Sequence, residues 1–213
     1  MIRIKVCGMK DPLNVKEIAQ ANLHYLGFIF FPGSPRYVGA DPNKALFENI
    51  PSGIQGIGVF VNEDTNKVIN IAQHTDLEMI QLHGGESPDY CQKLRSAGLV
   101  IIKAFNVTED FNFESIRLFM PGCDYFLFDT KSKKYGGSSK KFNWDKLLEY
   151  NLDKPFFLSG GIGPEDSAIL KNVTNRGFFA IDINSRFEIS PGQKDVRLIN
   201  TFCNEVKKLN YEI

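Results

Sequence analysis

Eight short runs of apolar, β-branched and aromatic residues recur along this chain, and between them lie segments whose apolar residues are spaced as on a helix. The runs are IKVCG from Ile4, YLGFIF from Tyr25, IGVFV from Ile57, MIQLHG from Met79, VIIKAF from Val100, YFLFDT from Tyr125, FFLSGG from Phe156 and FAIDIN from Phe179. The helical segments are NVKEIAQAN, a short one over 44–49, NKVINIAQ, DYCQKLRSAG, FESIRLFM, WDKLLEY and EDSAILKNV, with VRLINTFCNEVKKL closing the chain. Strands joined through helices run parallel, because parallel neighbours need a crossover between them. Eight repeats predict closure into an α/β fold of the (β/α)₈ or TIM-barrel type. A single such domain over 1–213 consumes the whole length. An open doubly wound sheet would gather its ligand at one switch point, whereas here the chemically loaded residues end runs one, four, six, seven and eight. A barrel brings all those ends to one mouth.

Charge and composition narrow the function. Lys plus Arg is 25 and Asp plus Glu is 25, so no net field favours a polyanion or an acidic membrane. Hydrophobic residues make up 43% of the chain, enough to bury a core without disulfides or metal. The opening MIRIKVCGMK carries Arg3 and Lys5 and lacks the apolar stretch of a signal peptide, and no apolar run is long enough to span a bilayer. The expectation is a cytoplasmic monomer acting on a small phosphorylated molecule, without nucleic acid or membrane partners. The four cysteines, Cys7, Cys91, Cys123 and Cys203, show no short-spaced pair, which leaves each to be explained alone. The stretch KSKKYGGSSKKF over 131–142, with five lysines, is expected to be a mobile loop over the mouth.

Several strand ends carry chemistry. SGGIGPED sets Gly160, Gly161 and Gly163 before a helix, where glycines let the backbone approach a ligand and free N–H groups attract anions; this is the expected phosphate cradle. Cys7, followed by Gly8, ends run one, so its thiol can face the mouth. Asp129 ends run six in FLFDT, and Asp182 lies inside the apolar run AIDINS, where an acid must enter a polar layer or be paired. Gln81 and His83 put polar groups at the end of run four. His83 has no second histidine nearby, so no metal site is expected.

In their order and spacing these pieces resemble the phosphoribosylanthranilate isomerase family of tryptophan biosynthesis. KVCGMK matches its opening strand, FFPGSPRYV its segment after strand two, and QLHG, KAF, FLFDT, SGGI, ID and PGQKD follow in family order over nearly the whole chain. The resemblance implies an Amadori rearrangement without metal or organic cofactor. It implies Cys7 as general base and Asp129 as general acid. Arg36 would hold the anthranilate carboxylate and Asp182 would contact the substrate amine; Gln81 and His83 are substrate-site candidates from their place at the end of run four, against the ordinary reading of His83 as a loop histidine. Gly160, Gly161, Ser185 and Arg186 would bind phosphate. Two departures stand out: where the family has Ser-Ser-Gly and then Val-Glu, this chain reads Asn184, Ser185, Arg186, Phe187 and Glu188, and its loop after strand six reads GGSSKKFNW where the family favours GGTGKTFDW. Two other functions fit parts of the pattern. One is a broader phosphosugar isomerase also acting on the histidine-pathway analogue; the other is a phosphate-binding barrel without catalysis, which would keep the cradle and lose Cys7 or Asp129. Both residues are present.

Overall fold

Alternation along each strand decides what faces the barrel interior and what faces the helices. In the computed structural model, which describes residues 2–130 and 143–209, β1 (Arg3–Cys7), β2 (Tyr25–Ile29), β3 (Gln55–Phe60), β4 (Met79–Leu82), β5 (Val100–Val107), β6 (Tyr125–Thr130), β7 (Phe156–Leu158) and β8 (Phe178–Ile183) form a closed parallel barrel in sequence order. Every neighbouring pair is parallel, and β8 closes on β1 with Lys5 registered against Asp182. Inside lies a layer of Tyr25, Ile57, Met79, Ile102, Ala104, Leu127, Phe157 and Ala180. Their strand neighbours, such as Ile4, Val6, Phe28, Ile80, Phe126, Phe128 and Ile181, pack outward against the helices. The interior is thus a filled core, closed at its N-terminal end by Arg3 over the Phe179 ring and lined with polar side chains toward the C-terminal strand ends.

The helices start where side chains satisfy the free N–H groups of a first turn. Asp11 caps α1 (Pro12–Ile18), Asp64 caps α3 (Thr65–Thr75) and Ser87 caps α4 (Pro88–Ser96). The helix over 44–49 is reduced to α2 (Ala45–Glu48), and α5 (Val196–Leu209) closes the described chain. Three of the expected helices differ in kind. Phe113–Gly122, Trp144–Glu149 and Pro164–Asn172 wind as 3₁₀ helix, the first with Pro121 inside it, where a missing N–H cannot sustain α-type bonding. A small antiparallel hairpin, β9 (Glu188–Ser190) and β10 (Gln193–Lys194), follows the barrel and turns at Pro191–Gly192, where Gly192 has φ 89°. Among the described residues no helix is long and apolar enough to cross a membrane.

Candidate active site

The alternation that sends Ile4 and Val6 to the helices sends Lys5 and Cys7 into the barrel. Lys5 is wholly buried; its Nζ donates to Asp182 Oδ2 at 3.0 Å and to Gln81 Oε1. Cys7, at the end of β1, is 4% exposed. Burial pushes its thiol up, and the neighbouring Lys5 ammonium and more distant Lys194 act in the opposite direction. Asp182 is likewise pushed up by burial, against the pull of Lys5, and its Oδ1 has no partner among the described residues. Burial works to lower Lys5, but Asp182 and Cys7 outweigh it and keep the ammonium protonated.

The hydrogen-bond network then fixes orientations outward from Lys5. An ammonium can only donate, so Gln81 must present Oε1 to it and turn its amide nitrogen to His83 Nδ1, 2.8 Å away. Nδ1 therefore accepts. In the neutral ring this leaves the proton on Nε2, which faces Asp129 Oδ2 at 3.3 Å. Gln81, His83 and Asp129 are thus oriented in series from one buried cation. The loop beyond His83 is anchored by a buried ion pair: Lys103 Nζ meets Glu86 Oε2 at 3.0 Å and the Gly84 carbonyl at 2.9 Å, while Glu86 accepts from the Asn62 and Gly84 backbone.

Arg36 reaches the mouth because its segment loops round to run parallel beside the end of β2 at Ile29 and Tyr37, with Val38 N donating to the Ile29 carbonyl and Arg36 N to Ser34 Oγ. Gly8, at φ 82°, makes way for it: a Cβ there would lie 2.6 Å from Arg36 Cδ and 2.9 Å from Asn184 Oδ1. The guanidinium is held in a fork by Glu188, Nε to Oε1 at 2.8 Å and Nη2 to Oε2 at 2.6 Å. Glu188 also accepts from Lys194 Nζ and Gly192 N, and Lys194 Nζ reaches Asn184 Oδ1 at 2.7 Å. Burial works to raise the Glu188 carboxyl, but the Arg36 hydrogen bond and the Lys194 charge outweigh it and hold it below the ordinary range. A carboxylate depressed in the folded state stabilises it fully above the unfolded value, and that contribution is lost as pH falls through the folded value. Glu188→Gln is therefore expected to unfold at lower temperature at neutral pH and to lose less of its stability than the native protein below about pH 4. Thermal unfolding followed by circular dichroism across that range checks this; parallel acid losses in the two proteins would refute it.

On the opposite edge, Gly160 (φ 93°) and Gly161 (φ 70°) both adopt the left-handed conformation that side chains resist. The cradle differs from expectation in one donor. Gly163 N–H is taken by the Asp166 carboxylate at 2.6 Å, so it is not free for an anion. Ser185 opens the short 3₁₀ turn Ser185–Phe187. Arg186 lies beside Gly163 and pairs with Glu165 at 2.7 Å, with a third of its side chain exposed.

A family profile described as N-(5'phosphoribosyl)anthranilate (PRA) isomerase matches residues 4–205. The chain belongs to the N-(5'-phosphoribosyl)anthranilate isomerase family. It is 44% identical over 205 residues to the N-(5'-phosphoribosyl)anthranilate isomerase of Phocaeicola vulgatus, covering 96% of this chain and 98% of that one. It superimposes on the phosphoribosyl anthranilate isomerase crystal structure from Thermotoga maritima with TM-score 0.86 at 32% identity, covering 98% of this chain and all of the other. A further isomerase structure, solved in complex with reduced 1-(o-carboxyphenylamino)-1-deoxyribulose 5-phosphate, gives TM-score 0.83 at 29% identity, with 98% and 100% coverage.

Within this family fold, Cys7, Gln81, His83, Asp129 and Asp182 converge on one network, with Arg36 behind Gly8 and the glycine pair after β7. Sequence reasoning missed Lys5, Lys194, Glu188 and Asn184. Lys5 had a signal, since a residue two before Cys7 on a strand shares its face. The hairpin carrying Glu188 and Lys194 also had one, in its Pro-Gly turn. Cys91, on α4, Cys123, before β6, and Cys203, on α5, are buried packing residues, as their places in the sequence suggest, and α4 brings Cys91 against Gly122, next to Cys123. All four cysteines are free thiols. No group of three or more His, Cys, Asp or Glu among the described residues is arranged to hold a metal. The expected mobile loop over 131–142 lies outside the described residues.

Proposed function

We propose that this chain converts N-(5'-phosphoribosyl)anthranilate to 1-(2-carboxyphenylamino)-1-deoxyribulose 5-phosphate, an Amadori-type aldose–ketose isomerisation and hence an intramolecular oxidation-reduction, in cytoplasmic tryptophan biosynthesis. The observation that carries this reading is the pairing of Cys7 and Asp129 at the C-terminal strand ends of one barrel, joined through Lys5, Gln81 and His83. The relative solved with the reduced product analogue supports the substrate class.

Asp129 delivers a proton to the furanose ring oxygen, and the ring opens to a protonated Schiff base at C1'. The Cys7 thiolate takes the proton from C2', and the electrons of that C–H bond move into the C=N system to give the enolamine. Tautomerisation of the enol to the ketone, with a proton added at C1', completes the exchange. The substrate amine supplies the electron sink. Asp182, whose Oδ1 has no partner among the described residues, contacts that amine. Arg36, fixed along its Nε–Nη2 edge by Glu188, turns the rest of its guanidinium to the anthranilate carboxylate, a group that the histidine-pathway analogue lacks.

For the phosphate, Gly160 and Gly161 supply backbone groups, and Ser185 and Arg186 flank them. Because Arg186 is partly exposed and already paired with Glu165, its part in the grip is small. Arg186→Gly should keep kcat and raise KM less than about tenfold, under about 1.4 kcal/mol of binding. A hundredfold loss in kcat/KM, with the fold intact by circular dichroism, would mean that the side chain has taken over the grip.

Complementation tests the function as a whole. The gene should restore growth of a tryptophan auxotroph lacking this step and leave the corresponding histidine auxotroph unable to grow. Growth of both strains would establish the broader isomerase, and growth of neither would remove the proposal.

A further inference from the structure

We infer that Lys5 is a positioning residue that makes Cys7 a usable base: its buried ammonium, gripped by Asp182 and Gln81, faces the sulfur and holds the thiolate during proton abstraction. The inference rests on the isomerase reading for its catalytic consequence, but the contact itself is independent of that reading.

Three observations lead to it. First, the barrel has no need of an ion for filling. The layer below is packed with apolar side chains such as Ile57, Met79 and Leu127, and a wholly buried lysine is costly where an apolar residue would serve. Second, strand β2 gives up a side chain to accommodate the pair. A Cβ on Gly27 would fall 2.8 Å from Cys7 Sγ and 3.1 Å from Lys5 Cε, and Gly27 has no left-handed backbone to explain it otherwise. Third, Lys5 is fixed from two other strands, by its register partner Asp182 on β8 at 3.0 Å and by Gln81 on β4, so its charge is held at the sulfur by partners outside β1.

The charged groups that bear on Cys7 are few. Lys5 acts through its charge, Asp182 opposes it, and Lys194 acts through space, being bonded to Glu188 and Asn184. Glu188 in turn carries Arg36, while Asp129 and His83 face Asp182 from β6 and β4. Burial alone would leave Cys7 a thiol across the neutral range. Lys5 is the nearest cation able to recover part of that loss. In the reaction, the C2' proton passes to the thiolate, the resulting thiol is neutral, and Lys5 keeps its own proton throughout.

The test is the ultraviolet titration of Cys7, taken as the thiolate absorbance of the full-length protein minus that of its Cys7→Ser variant. This needs no substrate. Lys5→Met should shift the Cys7 titration upward by about 1–3 pH units, the usual effect of removing an adjacent opposite charge. At neutral pH it should lower kcat by about tenfold to a thousandfold with little change in KM, and the lost activity should return as pH is raised. A structural role would give no such recovery. An unshifted Cys7 titration in folded Lys5→Met overturns the inference. If that variant does not fold, Lys5→Gln decides, since its amide can still donate to Asp182 and Gln81 without the charge: the Cys7 titration should again rise, and an unshifted one overturns the inference. If native protein proves unable to isomerise the substrate, the titration still reads the Lys5–Cys7 contact, so the two failures are separable.

Discussion

Replacement of Cys7 by serine is expected to abolish turnover while substrate still binds. The serine hydroxyl is nearly isosteric and can keep the position at the end of β1, so the barrel should fold. What it cannot do is ionise. An alcohol is far less acidic than a thiol, and this site already penalises the anion, since burial pushes even the thiol up. Lys5, sufficient to assist a thiolate, cannot bring an alkoxide into the accessible range. Steady-state kinetics beside a binding measurement with a product analogue reads the split. Retention of more than about a tenth of kcat, a barrier change under about 1.4 kcal/mol, would end the general-base assignment.

Asp129→Asn should cost at least about a hundredfold in kcat, the lower end of what a positioned acid contributes. This substitution separates proton delivery from placement unusually well. His83 Nε2 faces Asp129 Oδ2, and an asparagine can present its carbonyl oxygen to the same donor, so the network through Gln81 and Lys5 survives the change. The amide cannot deliver a proton to the ring oxygen. A variant with native kcat and a raised KM would show that Asp129 only places the substrate. The same variant offers a check on Asp182, because the Asp129 charge contributes to holding its carboxyl high. Removing that charge should lower the Asp182 titration, which carbon-detected NMR of the carboxyl can follow.

The barrel and the strand ends could be read along the chain because both depend on near neighbours. Whether a residue lies on a strand, and which neighbours share its face, follows from residues one or two positions away. That is enough to number the strands and to set Cys7, Asp129 and Asp182 at their ends. It also anticipates the left-handed glycines after β7, where the backbone must turn sharply into the next segment. Three helices came out as 3₁₀ because apolar spacing reports which face is buried more reliably than how tightly the backbone winds.

Partnership across the barrel is a different matter, because it is fixed by closure and register, which no local pattern encodes. Lys5 and Asp182 are 177 residues apart and meet because β8 returns to β1 in one register. Arg36 and Glu188 are separated by 152 residues and meet only once the hairpin after β8 folds back toward Gly8. Cys91 comes against Gly122, 31 positions further along the chain, because α4 packs beside the approach to β6. Shifting that register by one residue would turn Asp182 from the interior to the helix layer and leave Lys5 buried without a counterion. The sequence by itself thus determined the scaffold and the residues able to do acid–base chemistry. Only the tertiary structure decided which charges stand beside them, because electrostatic effects depend on distance through space and on exclusion of water, and both arise when the barrel closes.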